Sequence, residues 1–162
     1  MTRAFISVPL PEMIRANLLE LDRTQQGISW SPPGQWHITL QFFEDVDIKK
    51  VKESLLGMKA QGAVATVGPR VTRLGEEVLV VPVNGLSRLA EQVRSTMSPQ
   101  SSGVSLPYVG HITLGRIKKI INADLEGVRI EGSFRVTELL LVESRGTPNG
   151  YSHSVVGSQR LV

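Results

Sequence analysis

The tetrapeptide His-Ile-Thr-Leu occurs twice, at 37–40 and 111–114, in a chain that has three histidines. Given two histidines, three following matches by chance have odds of roughly one in a thousand or less. The repeat therefore signals a duplicated structural unit, two copies of one chemical tool, or both. Side chains alternate faces along a strand. In each copy His and Thr share one face and Ile and Leu the other, so the apolar pair anchors the strand and the polar pair looks into a cleft. Imidazole titrates near pH 6.5, and small shifts leave one ring neutral and the other charged. The neutral ring takes a proton from an attacking nucleophile, and the charged ring gives one to a leaving group. Each role is worth about 10²–10⁴ in rate. With His37 and His111 in those roles, the hydroxyls of Thr39 and Thr113 are suited to phosphoryl oxygens. A phosphodiester fits, because its attacking and leaving oxygens lie roughly in line through phosphorus.

Positioning two such strands calls for a repeated strand–helix arrangement, and the chain offers one. Residues 3–8 (RAFISV) read as a strand. Pro11 suits the first turn of a helix carrying Ile14, Leu18 and Leu21 on one face. Loop chemistry at 29–35 precedes a strand over 36–43. A second helix starts near Asp45 or Asp47 and carries Val51, Leu55 and Met58. Strands are expected near 64–73 and 77–83 with Gly75 at the turn, and Pro82 marks an edge or strand end. Gly85 opens a third helix with Leu86, Ala90, Val93 and Met97 inward. A loop at 99–103, a motif strand at 108–117, a turn or weak helix at 121–127, and strands at 133–144 and 151–162 complete the chain. The two motifs lie close to half the chain length apart, and no linker divides it. The expected class is α+β, with largely antiparallel sheets and two similar lobes forming one domain over 1–162.

Composition sets the outer bounds. The chain has 162 residues, of which 41% are hydrophobic and 20% charged, an ordinary soluble balance. No apolar run approaches a membrane span, and no signal peptide is expected at the N-terminus. The absence of cysteine excludes disulfides, thiolate metal ligands and a thiol nucleophile. A cytoplasmic monomer without cofactor or membrane attachment is expected. The net charge of +3 tolerates an anionic partner without announcing nucleic-acid binding.

Paired His-x-Thr-x motifs, one per half of a chain this size, resemble those of the two-histidine phosphoesterase superfamily. The flanks point the same way. They comprise an R-x-F-I strand followed by L-P, a W-x-x-P-x-x-x-H-I-T-L first motif, and E-L-x-L-x-E-S leading to Tyr151. Over essentially its whole length the chain is similar to the RNA 2′,3′-cyclic phosphodiesterase branch, also called bacterial and archaeal 2′–5′ RNA ligases. That resemblance implies a bilobal α+β fold with a pseudo-twofold axis and the motifs facing each other across a cleft. It implies metal-independent opening of 2′,3′-cyclic phosphate ends of RNA, or of nucleotides bearing them, to 2′-phosphates, and in some members 2′–5′ ligation. His37 would then donate the proton to the departing 3′ oxygen, His111 would activate water, and Thr39 and Thr113 would bind phosphate. The chain departs from the family pattern at Tyr108-Val109-Gly110, where Phe-x-Pro is usual, and at Phe42-Phe43-Glu44, where Phe-Leu-Gly is usual. Tyr108 keeps an aromatic ring for base stacking, Gly110 loosens the approach to the motif, and Glu44 would repel phosphate if it faced the cleft.

The remaining candidates carry competing readings. Arg116 matches a phosphate-contacting arginine of the family, yet strict alternation turns it away from His111 and Thr113 unless a bulge at Gly115 brings it back. His153 reads as a strand or surface histidine, against a three-histidine zinc site with His37 and His111. Trp30, Trp36, Phe5 and Phe42 read as core, with Trp36 facing away from His37. Tyr151 falls near the cleft by the family pattern. Lys118-Lys119 reads as solvated surface or as a contact to an RNA backbone. Two alternatives to the metal-independent reaction stay open: a non-catalytic module holding a nucleotide or RNA end, and a metallohydrolase.

Overall fold

The structure is a computed structural model and describes residues 2–100, 107–119 and 122–162. Its elements in chain order are β1 (Thr2–Val8), α1 (Glu12–Leu19), β2 (Ile28–Trp30), β3 (Ile38–Val46), α2 (Ile48–Leu56), β4 (Ala63–Val67), β5 (Thr72–Leu74), β6 (Val78–Asn84), α3 (Ser87–Thr96), β7 (His111–Ile117), β8 (Gly132–Val136), β9 (Glu138–Thr147) and β10 (Gly150–Arg160). The class is α+β. All described strand pairings are antiparallel, in the order β10-β9-β1-β3-β7-β6-β4-β8, with β2 on β7 and β5 on β6. Along that order four strands stand on either side of the β3–β7 junction, and β2 and β5 are added on the β7 side.

One face of the sheet is the core. Ala4, Ile6 and Val8 of β1, Ile38 and Leu40 of β3, Ile112 and Leu114 of β7, and Leu139 and Leu141 of β9 are all buried. They join one apolar cluster with Ile14 and Leu18 of α1, Val51 and Leu55 of α2, and Leu89, Ala90 and Val93 of α3. Each helix thus buries one stripe, as the helical spacing required. Leu21, expected on α1, packs on the same cluster from just beyond its end. Asp47 is the N-cap of α2, its carboxylate accepting from the Lys49 N–H at 3.1 Å.

Three expectations are corrected. The strand expected over 64–73 is two strands, broken at 68–71. Gly68 there has φ +99°, and a Cβ on it would meet the Ile130 carbonyl oxygen at 1.9 Å. The strand expected over 133–144 breaks at Thr137, because β8 pairs with β4 while β9 pairs with β1 on the other side of the sheet. Pro82 is not at an edge, since β6 is internal. It falls where the outer partner of β6 changes from β5 to β4, so neither ladder uses the missing N–H. The expected loop at 99–103 falls largely, and the start of the turn at 121–127 partly, outside the described residues. Residues 124–127 form turns rather than a helix.

Candidate active site

The two motifs meet each other directly. Ile38 of β3 pairs with Ile112 of β7, and both side chains are fully buried. Continuing that antiparallel register sets His37 opposite Thr113 and His111 opposite Thr39, all four on the face away from the core. Each histidine therefore stands beside the threonine of the other motif. The two imidazoles are diagonal neighbours, for which the usual spacing is roughly 7–8 Å.

Both rings are aimed by the same local device. The His37 Nδ1 lies 2.6 Å from the Gln35 carbonyl oxygen, and the His111 Nδ1 lies 2.8 Å from that of Val109, each two residues upstream. A carbonyl only accepts, so Nδ1–H donates in both cases. The neutral tautomer then carries its free lone pair on Nε2. His37 Nε2 is 2.9 Å from Thr39 Oγ1, whose hydroxyl donates to it while the ring is neutral.

The sheet also carries a matched irregularity after each threonine. Along β3, Thr39 faces Ser7 and Gln41 faces Ile6, which leaves Leu40 as an extra residue. Along β7, Thr113 faces Val80 and Gly115 faces Leu79, which leaves Leu114 extra. Both leucines are buried. A bulge of this kind sets two residues against one and reverses the alternation beyond it. Arg116, opposite Val78, consequently returns to the face of His111 and Thr113, and Phe42, opposite Phe5, returns to the face of His37. The guanidinium of Arg116 is exposed and pairs with Glu77 at 3.3 Å.

His37 has further neighbours that spacing did not reveal. Phe5 stacks on it, with ring centroids 4.4 Å apart and planes at 16°. His153 meets both edge-on, 5.1 Å from Phe5 and 5.9 Å from His37. His153 is a strand histidine, as one of its readings had it, and β10 pairs with β9 and β9 with β1, which carries it across the sheet to His37. A cavity of about 170 Å³ opens here, lined among others by Phe5, Ser7, Gln35, His37, Val142 and His153. Burial is the main cause that lowers the pKa of His37, and the charges of His153 and His111 act the same way. The bond to the Gln35 carbonyl opposes them. His153 is lowered as well, by burial first and then by the Arg3 charge. Gln35 is a second residue the spacing gave no sign of. Its carbonyl aims His37, while its side-chain amide donates to the Tyr151 carbonyl oxygen at 2.7 Å.

The other candidates fall as follows. Tyr108 is half-buried against the core, its hydroxyl donating to the Thr39 carbonyl oxygen at 2.9 Å and its ring lying 5.5 Å below the Arg94 guanidinium. Burial pushes its pKa up to about 12. Gly110 does not loosen the approach to His111. A Cβ there would stand 2.4 Å from the Val83 carbonyl oxygen, so glycine permits two backbones to close. Trp36 is buried in the core, as alternation required, and Trp30 packs on it from the side. Phe42, expected in the core, is 45% exposed because the bulge turns it out. Tyr151 is half exposed, its backbone carbonyl accepting from Gln35. Glu44, Lys118 and Lys119 are exposed. Among the described residues no group of three or more His, Cys, Asp or Glu side chains is gathered for a metal, and no helix is long and apolar enough to cross a membrane.

Comparison with known proteins agrees with this geometry. Residues 8–64 match the family model of LigT-like phosphoesterases. A protein of Methanothermobacter thermautotrophicus named RNA 2′,3′-cyclic phosphodiesterase is 30% identical, over 91% of this chain and 92% of its own. One of Methanocaldococcus jannaschii with the same name is 25% identical, over 95% and 98%. The crystal structure of E. coli LigT complexed with 3′-AMP superposes with a TM-score of 0.78 at 22% identity, over 99% of this chain and 98% of that one. The chain belongs to the two-histidine phosphoesterases, in the family of the LigT-like enzymes.

Proposed function

We propose that this chain is an RNA 2′,3′-cyclic phosphodiesterase that works as one domain of two matched halves. The observation that carries this is the Ile38–Ile112 pairing, which brings two identically aimed histidines and their threonines to one face of the sheet. The names of the two archaeal relatives supply the substrate class and favour turnover over simple retention of a nucleotide end.

In this reading the cyclic phosphate sits between the two Nε2 atoms, with the Thr39 and Thr113 hydroxyls donating to its non-bridging oxygens. His111 takes a proton from water as the oxygen bonds to phosphorus. The P–O3′ bond breaks on the opposite side, and His37 Nε2 delivers a proton to O3′. The product is a 2′-phosphate and a free 3′ hydroxyl, and a ribose hydroxyl in place of water gives the 2′–5′ ligation counterpart. The depressed basicity of His37 leaves it mostly neutral in the empty site at neutral pH. The anionic phosphate supplies the favourable charge that loads it with a proton. Thr39, hydrogen-bonded to Nε2 in the free protein, turns to the phosphate when substrate arrives.

The test is hydrolysis of a short oligoribonucleotide ending in a 2′,3′-cyclic phosphate, with the product read by phosphorus NMR and with chelator present. A 2′-phosphate is expected, with activity reduced at least about 10²-fold in His37→Ala and in His111→Ala. Full activity in both variants overturns the reading, and a 3′-phosphate product overturns the choice of leaving group.

A further inference from the structure

The R-x-F-I strand opens with an arginine that the chemistry above leaves unused. The Arg3 guanidinium lies between two rings, 4.6 Å from the centroid of Phe42 and 4.5 Å from that of Tyr151. Among the described residues no carboxylate comes within ion-pairing distance of it, and no hydrogen bond is made by it. Its Nε is buried without a partner. A buried donor left unmade costs free energy, and a guanidinium held by two rings but with no anion beside it asks for a reason.

Its position supplies the reason. Arg3 precedes Phe5 on the same face of β1, one two-residue step away, or about 6.6 Å along the strand. Phe5 is the ring on which His37 lies. The β1–β9 register continues Ala4↔Glu143 to set Arg3 opposite Ser144, which itself pairs with His153. Gln35 ties the cluster to the reaction centre, since it holds both His37 and the backbone of Tyr151. The two rings hold the guanidinium in place and supply no hydrogen-bond acceptor of their own, so its N–H groups are left for a ligand. Those groups form a planar fork of donors matched to phosphate oxygens. Phe42 and Tyr151 remain 45% and 50% exposed, which leaves ring surface beside the fork for a base.

We infer that Arg3, clamped by Phe42 and Tyr151, binds the backbone phosphate on the 5′ side of the terminal nucleotide, so that the enzyme's substrates are oligoribonucleotide ends rather than cyclic mononucleotides. This rests on the proposed reaction and names its substrate class. Among the described residues the matching place in the other half has no such clamp. There Arg116 stands where Phe42 does and is already paired with Glu77. The strand leaving the cyclic phosphate therefore runs over β1, β9 and β10.

The experiment compares a cyclic mononucleotide with a tetranucleotide ending in the same 2′,3′-cyclic phosphate, using the wild type, Arg3→Gln and Arg3→Lys. The ratio of kcat/KM for tetranucleotide over mononucleotide is expected to fall about tenfold in R3Q, mainly through KM, and to recover in part in R3K. The wild-type ratio should itself decline with added salt, because a phosphate contact is lost to counterions. An unchanged ratio in R3Q, or a wild-type ratio near one at low salt, overturns the inference. Failure of the proposed reaction looks different, because the wild type would then process neither substrate. In that event anisotropy of a labelled oligoribonucleotide with a 3′-terminal phosphate decides the matter. Equal binding by wild type and R3Q, both shown folded by thermal melting, also sinks it.

Discussion

Phe5 forms a floor beneath His37, its ring 4.4 Å away and nearly parallel. A stacked aromatic pair contributes about 0.5–1.5 kcal/mol beyond area burial, and it fixes the plane in which the imidazole sits. Phe5→Leu keeps an apolar side chain but removes the flat surface and admits water. The expected results are a several-fold drop in kcat and a rise of the His37 pKa back toward 6.5, measured by NMR titration. An unchanged titration would show that the stack neither dries nor orients the ring.

The pH–rate profile carries the sign of the His37 role. In its proposed role as proton donor, with a lowered pKa in the free protein, His37 loses its proton below pH 6.5. The alkaline limb of kcat/KM should therefore be centred below that value. The limb in kcat should sit higher, because bound phosphate favours the charged ring. His153→Gln removes a neighbouring charge that disfavours protonation, so the kcat/KM limb should move upward. If the transition that tracks His37 by NMR instead forms the acidic limb, the donor and acceptor assignments must be exchanged.

Stability should respond to pH through the same two rings. His37 and His153 both have folded-state values below the ordinary 6.5, so the unfolded chain binds more protons in the window just under 6.5. Stability is then complete above that pH and is lost as the pH falls through the lowered values. Melting temperature should drop on acidification from pH 7 toward 5. The double replacement His37→Gln, His153→Gln should flatten that drop, and an equally steep dependence in the double variant would assign the effect to carboxylates.

Gly110 tests how tightly the second motif must be held. Its carbonyl accepts from the Val83 N–H at 2.9 Å, and an added Cβ meets the Val83 carbonyl oxygen. Because that atom is backbone, Gly110→Ala must shift the strand that presents His111. A cost of about 1–3 kcal/mol is expected from such overpacking. Activity should fall by tenfold or more, since misplacement of about 1 Å can cost 10²-fold. Melting and steady-state assays on one preparation separate the two effects, and unaltered kcat would mean that His111 tolerates the shift.

The Arg116–Glu77 pair gives a contrasting outcome. Both groups are exposed, at 58% and 72%, so the ion pair adds little stability. Glu77→Gln should leave the melting temperature within about a degree or two. Arg116→Ala should raise KM several-fold if the bulge delivers the guanidinium to the phosphate. Equal KM in that variant would return Arg116 to the surface.

The sequence revealed what repeats and what alternates. His37, Thr39, His111 and Thr113 were legible because a recurring tetrapeptide stands out and strand periodicity separates its two faces. Asp47, Leu55 and Val93 followed from helix spacing and capping. The face of Arg116 was not legible, because a bulge depends on pairing with β6 and leaves no local signature beyond Gly115. His153 and Gln35 were hidden for a different reason. Each reaches His37 through a tertiary route, one by two strand pairings and one by a carbonyl that any residue could supply. Phe42 was misjudged as core since the same kind of bulge reverses its side.

The matched bulges and the Ile38–Ile112 contact have a consequence for direction. A centre built from two equivalent tools has no inherent front or back, and the 2′ and 3′ oxygens of a cyclic phosphate are nearly interchangeable to it. Regiochemistry must be dictated by whatever was never duplicated. Among the described residues, only one flank of the dyad holds an imidazole on an aromatic shelf with a third histidine beside it. In the proposed reaction, that lopsided margin would select which ester bond breaks.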